Sequence, residues 1–361
     1  MKLFLIPIIA VVAFVAGCSQ PIQTVTQTYT TIGIGVSCFA QGGGTLYAGL
    51  NDSLFLSQNN GANWQYAGNV GSNNPILSLL DTNGALFAGT DSGAFVSANS
   101  GATWTAINAG LLNISIFDSI VYIKTFHDTT ISDTLRHDTI VHDSNIYIRH
   151  VRSATVTSLA LFGGNLFAAT TNGVFISSNN GANWAVVDSG LPYNNTDSAF
   201  VATALTVIGG TLYTCIYNYG LFYTANNGVS WTPVTSGMGG ESVYSFAQAG
   251  TNVYAGAGNG VFVSSDNGAD WAIIDTGLTN TIVNSLAVVG GANVYAATQY
   301  GGVFMLSTNG SIIWNPENNG FPSPLPLISA LIVSGGNLVA GTSGGVYVSQ
   351  SGLSNWTFTG L

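Results

Sequence analysis

Apolar residues recur along this chain in short runs of four to seven, rich in Val, Tyr and Phe and bounded by Gly or Asn. That pattern reads as strands joined by tight turns. One repeat shows it well: Ser242 to Gln248, a turn, Asn252 to Ala257, a Gly-Asn-Gly turn, Val261 to Ser265, a polar stretch, then Trp271 to Asp275. Similar blocks begin near Ile34, Pro75, Ala154, Phe200, Thr281 and Leu327. Amphipathic helical patterns are absent.

All seven tryptophans close the same polar stretch. They are Trp64, Trp104, Trp184, Trp231, Trp271, Trp314 and Trp356, spaced by 40, 80, 47, 40, 43 and 42 residues. A period near 40 ending in an aromatic predicts a ring of small sheets. The expected fold is all-β, a seven-bladed β-propeller of four-stranded antiparallel blades over 34–361, whose first strands line a central channel. Runs such as Ser158-Leu159-Ala160-Leu161 and Ser285-Leu286-Ala287-Val288 are those first strands.

The polar stretch is a variant of S-x-[N/D]-x-G-x-x-W, clearest from Ser57 through Asn59 and Gly61 to Trp64. Ser and Asn side chains at these positions can bond turn backbone, and Gly can take positive φ without steric cost. Further copies carry Asn99, Gly101 and Trp104; Asn179, Gly181 and Trp184; Asn226, Gly228 and Trp231; and Asp266, Gly268 and Trp271. The sixth has Asn309 and Trp314 with Ser311 for Gly, and the seventh has Ser351, Leu353 and Trp356. The motif resembles the Asp-box repeat of bacterial sialidases, sortilin-type receptors, some xyloglucan hydrolases and the photosystem II stability/assembly factor. The resemblance implies a structural turn, away from the working face.

The double spacing between Trp104 and Trp184 holds no box. It predicts an extended insertion between blades two and three, a His/Asp/Thr-rich arm over 115–153 containing pentapeptides such as His127-Asp128-Thr129-Thr130-Ile131 and His137-Asp138-Thr139-Ile140-Val141. Its β-branched content suggests a hairpin. The four histidines of the chain, His127, His137, His142 and His150, all lie here among aspartates. Imidazole with carboxylate is a zinc-binding set, yet along a strand His127 and His137 stand about 33 Å apart. His137 and His142 point to opposite faces. A solvated polar arm is the favoured reading, and no metal or cofactor is expected.

Residues 1–17 read as a signal peptide: Lys2, an apolar run from Leu3 to Val15, then small residues. Val15-Ala16-Gly17-Cys18 resembles the bacterial lipobox, which implies lipidation of Cys18, a tether over 18–33 and membrane attachment through the anchor alone. Ser19 resembles the residue that sends such proteins to the outer membrane, facing the periplasm or the cell surface.

Charge narrows the function further. Only 6% of residues are charged and the formal net charge is −10. Nucleic acid is excluded, because phosphate binding needs a basic surface. Beyond the signal the basic residues are Lys124, Arg136, Arg149 and Arg152, all in the insertion. Sialidases hold their substrate carboxylate with three arginines, so that activity is not expected; the assembly-factor family's arginine patch is missing too. Nor does any blade hold a histidine for Ser-His-Asp chemistry.

Loops joining successive blades, and second strands to third, share the face opposite the boxes. Asp52, Asp91, Asp197, Glu241 and Glu317 belong there, with Tyr193, Tyr217, Tyr219, Tyr300 and Phe321 placed to stack on a ligand. A glycoside hydrolase needs two carboxylates about 5–9.5 Å apart, and no spacing in the sequence pairs any two of these. The expected function is a non-catalytic, monomeric binding or scaffold propeller for a protein partner; the alternative is a glycan-binding protein or a neutral-glycan hydrolase.

Overall fold

Seven four-stranded antiparallel sheets, each formed by four consecutive strands, make up the ring. The structure, a computed structural model, describes residues 35–82, 84–114, 120–123, 129–131, 134–136, 144–147, 151–192, 200–307, 312–350 and 355–361. The blades span 36–69, 76–106, 156–186, 202–233, 243–273, 283–316 and 328–360. No described helix is long and apolar enough to cross a membrane.

Each innermost strand packs on the innermost strand of the next blade, and that of the seventh, Ile328–Ser334, packs on that of the first, Val36–Gly42. Among the described residues the first and last blades meet by face-to-face packing, each sheet being built of its own four consecutive strands. Residues 22–31, a candidate outer strand for blade seven, lie outside the described residues.

The core is divided among the junctions. Seven hydrophobic clusters among the described residues each straddle two adjacent blades. At the closing junction Val36, Leu46 and Ala48 meet Val339, Val346 and Val348. Second strands such as Asn252–Ala257 are buried along nearly their whole length, because a neighbouring blade covers each face. This explains continuous apolar runs in place of strict alternation, and the scarcity of charge.

Outer strands are shorter than the sequence predicts. In blades two to five they are two residues long, as at Ala272–Ile273, and each begins after its tryptophan. The amides of Trp184, Trp231, Trp314 and Trp356 bond Ala109, Ser189, Thr276 and Asn319 of the preceding blade's exit, at 2.8–2.9 Å.

Between blades two and three, three antiparallel pairs lie nested in sequence. Leu112–Ile114 pairs with Val151–Ser153, Ile120–Ile123 with Ser144–Tyr147, and Thr129–Ile131 with Thr134–Arg136. The four histidines lie outside the described residues.

Candidate functional site

Strand pairing sorts the turns between two faces. The turn at 50–53 and the ends at Val36 and Asn69 share one side of blade one, while the turns at 42–45 and 57–65 share the other. The first is the loop face and the second the box face.

On the box face, five turns repeat one geometry. Ser57 Oγ donates to Asn59 Oδ1 at 2.9 Å and accepts from the Gly61 amide at 2.9 Å; Asn59 Oδ1 accepts from the Asn63 amide at 2.9 Å. Asn60 and Gly61 both take positive φ, 57° and 86°. The same bonds recur at Ser97/Asn99/Gly101, Ser177/Asn179/Gly181, Thr224/Asn226/Gly228 and Ser264/Asp266/Gly268. Asn and Asp serve alike because the turn uses an acceptor oxygen. At Asp266, bonds from the Asp270 amide and Ser264 hold the carboxyl below its ordinary range. Asn309, Ser311, Ser351 and Leu353 lie outside the described residues.

The tryptophans that follow are inter-blade fasteners. Indole Nε1 of Trp184, Trp231, Trp314 and Trp356 donates to the carbonyl of Ile107, Val187, Ile274 and Glu317 in the preceding blade, at 2.5–2.7 Å. Trp271 instead bonds Gly268 in its own turn at 3.0 Å. Trp64 and Trp104 have buried Nε1 groups with no partner.

At the loop face every innermost strand carries a β-bulge, at Ser37, Leu77, Thr157, Thr203, Tyr244, Asn284 and Ser329. A bulge re-aims its side chain. Ser37 Oγ donates to Ile76 O (2.6 Å), Thr157 Oγ1 to Ala202 O (2.6 Å), Thr203 Oγ1 to Val243 O (3.1 Å) and Asn284 Nδ2 to Ile328 O (2.8 Å). Ser329 Oγ reaches Val36 O and closes the circle. Five of the seven bulge residues thus tie one blade to the first residue of the next. Leu77 and Tyr244 make no such tie.

The loop-face residues singled out from sequence are distributed over several blades. Asp52 is occupied by local bonds, its carboxylate accepting from Ser53 Oγ in its own turn and from the Asn73 amide in the connection to blade two, at 3.2 Å each. Asp91 lies on the corresponding turn of blade two, where burial raises its carboxyl above the ordinary range although the residue as a whole is exposed. Glu317 follows the outer strand of blade six and donates its amide to Val303 O at 2.8 Å. Tyr300 is exposed on the same blade. Phe321 is only partly buried and stacks on Trp356 with centroids 4.8 Å apart, which makes it a packing residue. Tyr193 and Asp197 lie outside the described residues.

Tyr217 and Glu241 do come together, at the junction of blades four and five, with Tyr219 on the same turn as Tyr217. Tyr217 and Tyr219 flank Asn218, whose φ of 64° turns the chain sharply. Beneath them the buried Cys215 thiol accepts from the Val243 amide at 3.1 Å and donates to Glu241 O at 3.5 Å. Tyr244, absent from the sequence-derived set, completes the group. Its hydroxyl pKa is raised, first by burial and then by neighbouring Tyr217, Cys215 and Glu241. The ring reaches over the next turn: a Cβ on Gly258 would stand 3.6 Å from its hydroxyl. In that turn Asn259 Oδ1 is buried with no hydrogen-bond partner.

Neither thiol suits a nucleophile. The two cysteines among the described residues, Cys38 and Cys215, are free, and burial pushes Cys38 up to about 12 and raises Cys215. Among the described residues no group of three His, Cys, Asp or Glu could hold a metal. A groove of about 220 Å³ lies on the box face, lined by Gly42, Tyr47, Asp81 and Ser100 among others.

Residues 191–334, less than half of the chain, match a family described as the DUF6242 beta propeller domain. No protein of curated function matches the sequence. Among solved structures, the extracellular domain of BT4673 from B. thetaiotaomicron is similar with TM-score 0.59 and 20% identity, over 88% of this chain and 38% of that one. A GH74 enzyme from Niastella koreensis gives 0.58 and 14%, over 90% and 53%. YCF48 from Cyanidioschyzon merolae gives 0.56 and 12%, over 88% and 95%. The chain thus spans well under two thirds of the first two proteins. At these identities the likeness establishes the propeller fold alone.

Proposed function

We propose that this chain is a lipid-anchored propeller of the bacterial envelope or cell surface that works by binding a protein partner. The anchor rests on the apolar run ending in Val15-Ala16-Gly17-Cys18. The repeated turn with its Ser or Thr, Asn or Asp, and Gly supports membership in the Asp-box class. Its working surfaces are the loop face and the 115–153 arm.

The observation that carries binding over catalysis is the makeup of the loop face. Aromatics and a carboxylate gather at the junction of blades four and five, while Asp52 is spent on bonds to Ser53 and to the Asn73 amide. No blade offers Lys, Arg or His to act as a base or to hold an anionic substrate. A propeller suits such work because its edges are short and its loops vary independently of the blades. The test is cross-linking capture from native membranes, comparing the full protein with one lacking 118–150. A protein partner captured by the full chain supports the reading; its loss with the deletion assigns the contact to the arm.

A second reading has the raised carboxyl of Asp91 behind it, since a general acid requires such a shift. A glycoside hydrolase acting on a neutral glycan would lose activity in Asp91→Asn. No turnover of neutral polysaccharides by the unaltered protein would end that reading.

A further inference from the structure

We propose that the junction of blades four and five is a binding site for an organic cation, the guanidinium or ammonium group of a partner's arginine or lysine side chain. Tyr217 and Tyr244 supply the aromatic faces and Glu241 the countercharge, with the exposed Tyr219 on the same turn as Tyr217. The inference rests on the binding reading above and names the chemistry of its ligand.

The first argument is a departure from the ring's own rule. Five bulge positions carry a short hydroxyl or amide side chain that ties its blade to the next. Tyr244 occupies that position in blade five, gives up the tie, and stands 42% exposed at the loop face. Tyr219, on the neighbouring blade's turn, is 50% exposed. Large aromatics kept in water at a site where the fold favours a small polar residue mark a place where local packing yields to function.

The second argument is polarity. Glu241 has no cationic partner available in any blade, because all the basic residues beyond the signal lie in the insertion. A tyrosine face carries negative potential, as does a carboxylate, so both favour a cation. An anion would be repelled. A neutral sugar could stack on the rings but would gain nothing from the carboxylate's charge. The net charge of −10 adds a long-range pull on a basic partner.

The test is ring-proton and ring-carbon NMR on the purified protein carrying labelled tyrosine. The probes are a capped Gly-Arg-Gly peptide, a capped Gly-Lys-Gly peptide, the neutral citrulline counterpart and cellotetraose. The expected result is saturable movement of Tyr217, Tyr219 and Tyr244 signals with the two cationic peptides, none with citrulline, and Tyr300 unmoved. Glu241→Gln should weaken binding about fivefold, and Tyr219→Leu, a change at an exposed side chain, should weaken it as well. Equal binding of the citrulline peptide, stronger binding of cellotetraose, indifference to Glu241→Gln, or no saturable response each overturns the proposal. Capture of a protein partner undiminished in Glu241→Gln would sink the cation site while leaving the binding function standing. No saturable response and no captured partner with the unaltered protein would sink the two together.

Discussion

Gly237 lies with its bare Cα against the carbonyl of Trp271: a Cβ there would stand 1.8 Å from the oxygen, and φ is 84°. The contact is one of a series. Gly110, Gly190, Gly277 and Gly320 meet the carbonyls of Trp184, Trp231, Trp314 and Trp356 in the same way, at 2.1–2.3 Å. Each glycine follows one blade and each tryptophan stands at or next to the start of the last strand of the next, so their approach sets how closely neighbouring blades pack. Gly237→Ala adds both a steric clash and a strained backbone, and should cost about 3 kcal/mol or more. Gly239→Ala, at φ 55° with open space around it, should cost only about 1 kcal/mol. Urea unfolding of the two variants checks the difference; equal losses would show that φ alone matters.

Trp184 and Trp104 make a second matched pair. Trp184 Nε1 donates to Ile107 O at 2.7 Å, whereas Trp104 Nε1 is buried without a partner. Phenylalanine keeps much of the apolar contact at either site but strands the Ile107 carbonyl at one of them. Trp184→Phe should therefore be the more destabilising by about 1 kcal/mol, read from urea midpoints at unchanged slope.

The bulge ties give a third expectation. Thr157→Val keeps shape and β-branching but removes the donor to Ala202 O. A loss of about 1 kcal/mol is expected, and Thr203→Val should add to it nearly independently, since each serves a different junction. A double variant no less stable than either single one would mean that the ties carry no energy.

Blade number and the architecture of the box turns were legible because both depend on residue types at fixed spacing: Trp64 through Trp356, and Ser57, Asn59 and Gly61. The glycine six residues after a tryptophan, as from Trp231 to Gly237, was equally present in the sequence. Its meaning was not, because its partner sits in another blade. Tyr244 escaped for a different reason. Within Val243-Tyr244-Ser245 it reads as an ordinary strand residue, and only the bulge, invisible to alternation, turns it to the loop face. Tyr217, Tyr219 and Glu241 were picked out as loop residues, yet their convergence depends on ring geometry. Asp52 and Asp91 look alike in sequence and differ in surroundings: one carboxylate is bonded, the other desolvated.

Removal of 118–150 should leave the propeller standing. The Ala154 amide already bonds Leu111 O at 3.4 Å, so the chain leaves blade two and enters blade three at adjoining points. The described core of that junction includes Leu111 and Ala154, which flank the deleted segment. The melting temperature should change by about 2 °C or less; a collapse would mean that the blades depend on the insertion.

Asp188 makes stability depend on pH. Its Oδ1 accepts from the Val174 amide at 2.9 Å, and the same place is held by Asn108 in blade two and Asn318 in blade six, at 2.8 Å each. Burial pushes the Asp188 carboxyl up to about 6, against the lowering pull of the Val174 bond. The folded state thus holds this proton more tightly than the unfolded chain does. Between about pH 4 and 6 the native form is protonated while the unfolded form is not, so stability from this group falls as pH rises through that window and is flat above it. The residue is only partly buried, so the effect should be on the order of 1–2 kcal/mol. Asp188→Asn copies the residue that two other blades already use, and it should raise stability at pH 7.5 while leaving that at pH 4 nearly unchanged. Urea unfolding at the two pH values would reveal it, and a variant that keeps the same slope between them would place the titration on another group.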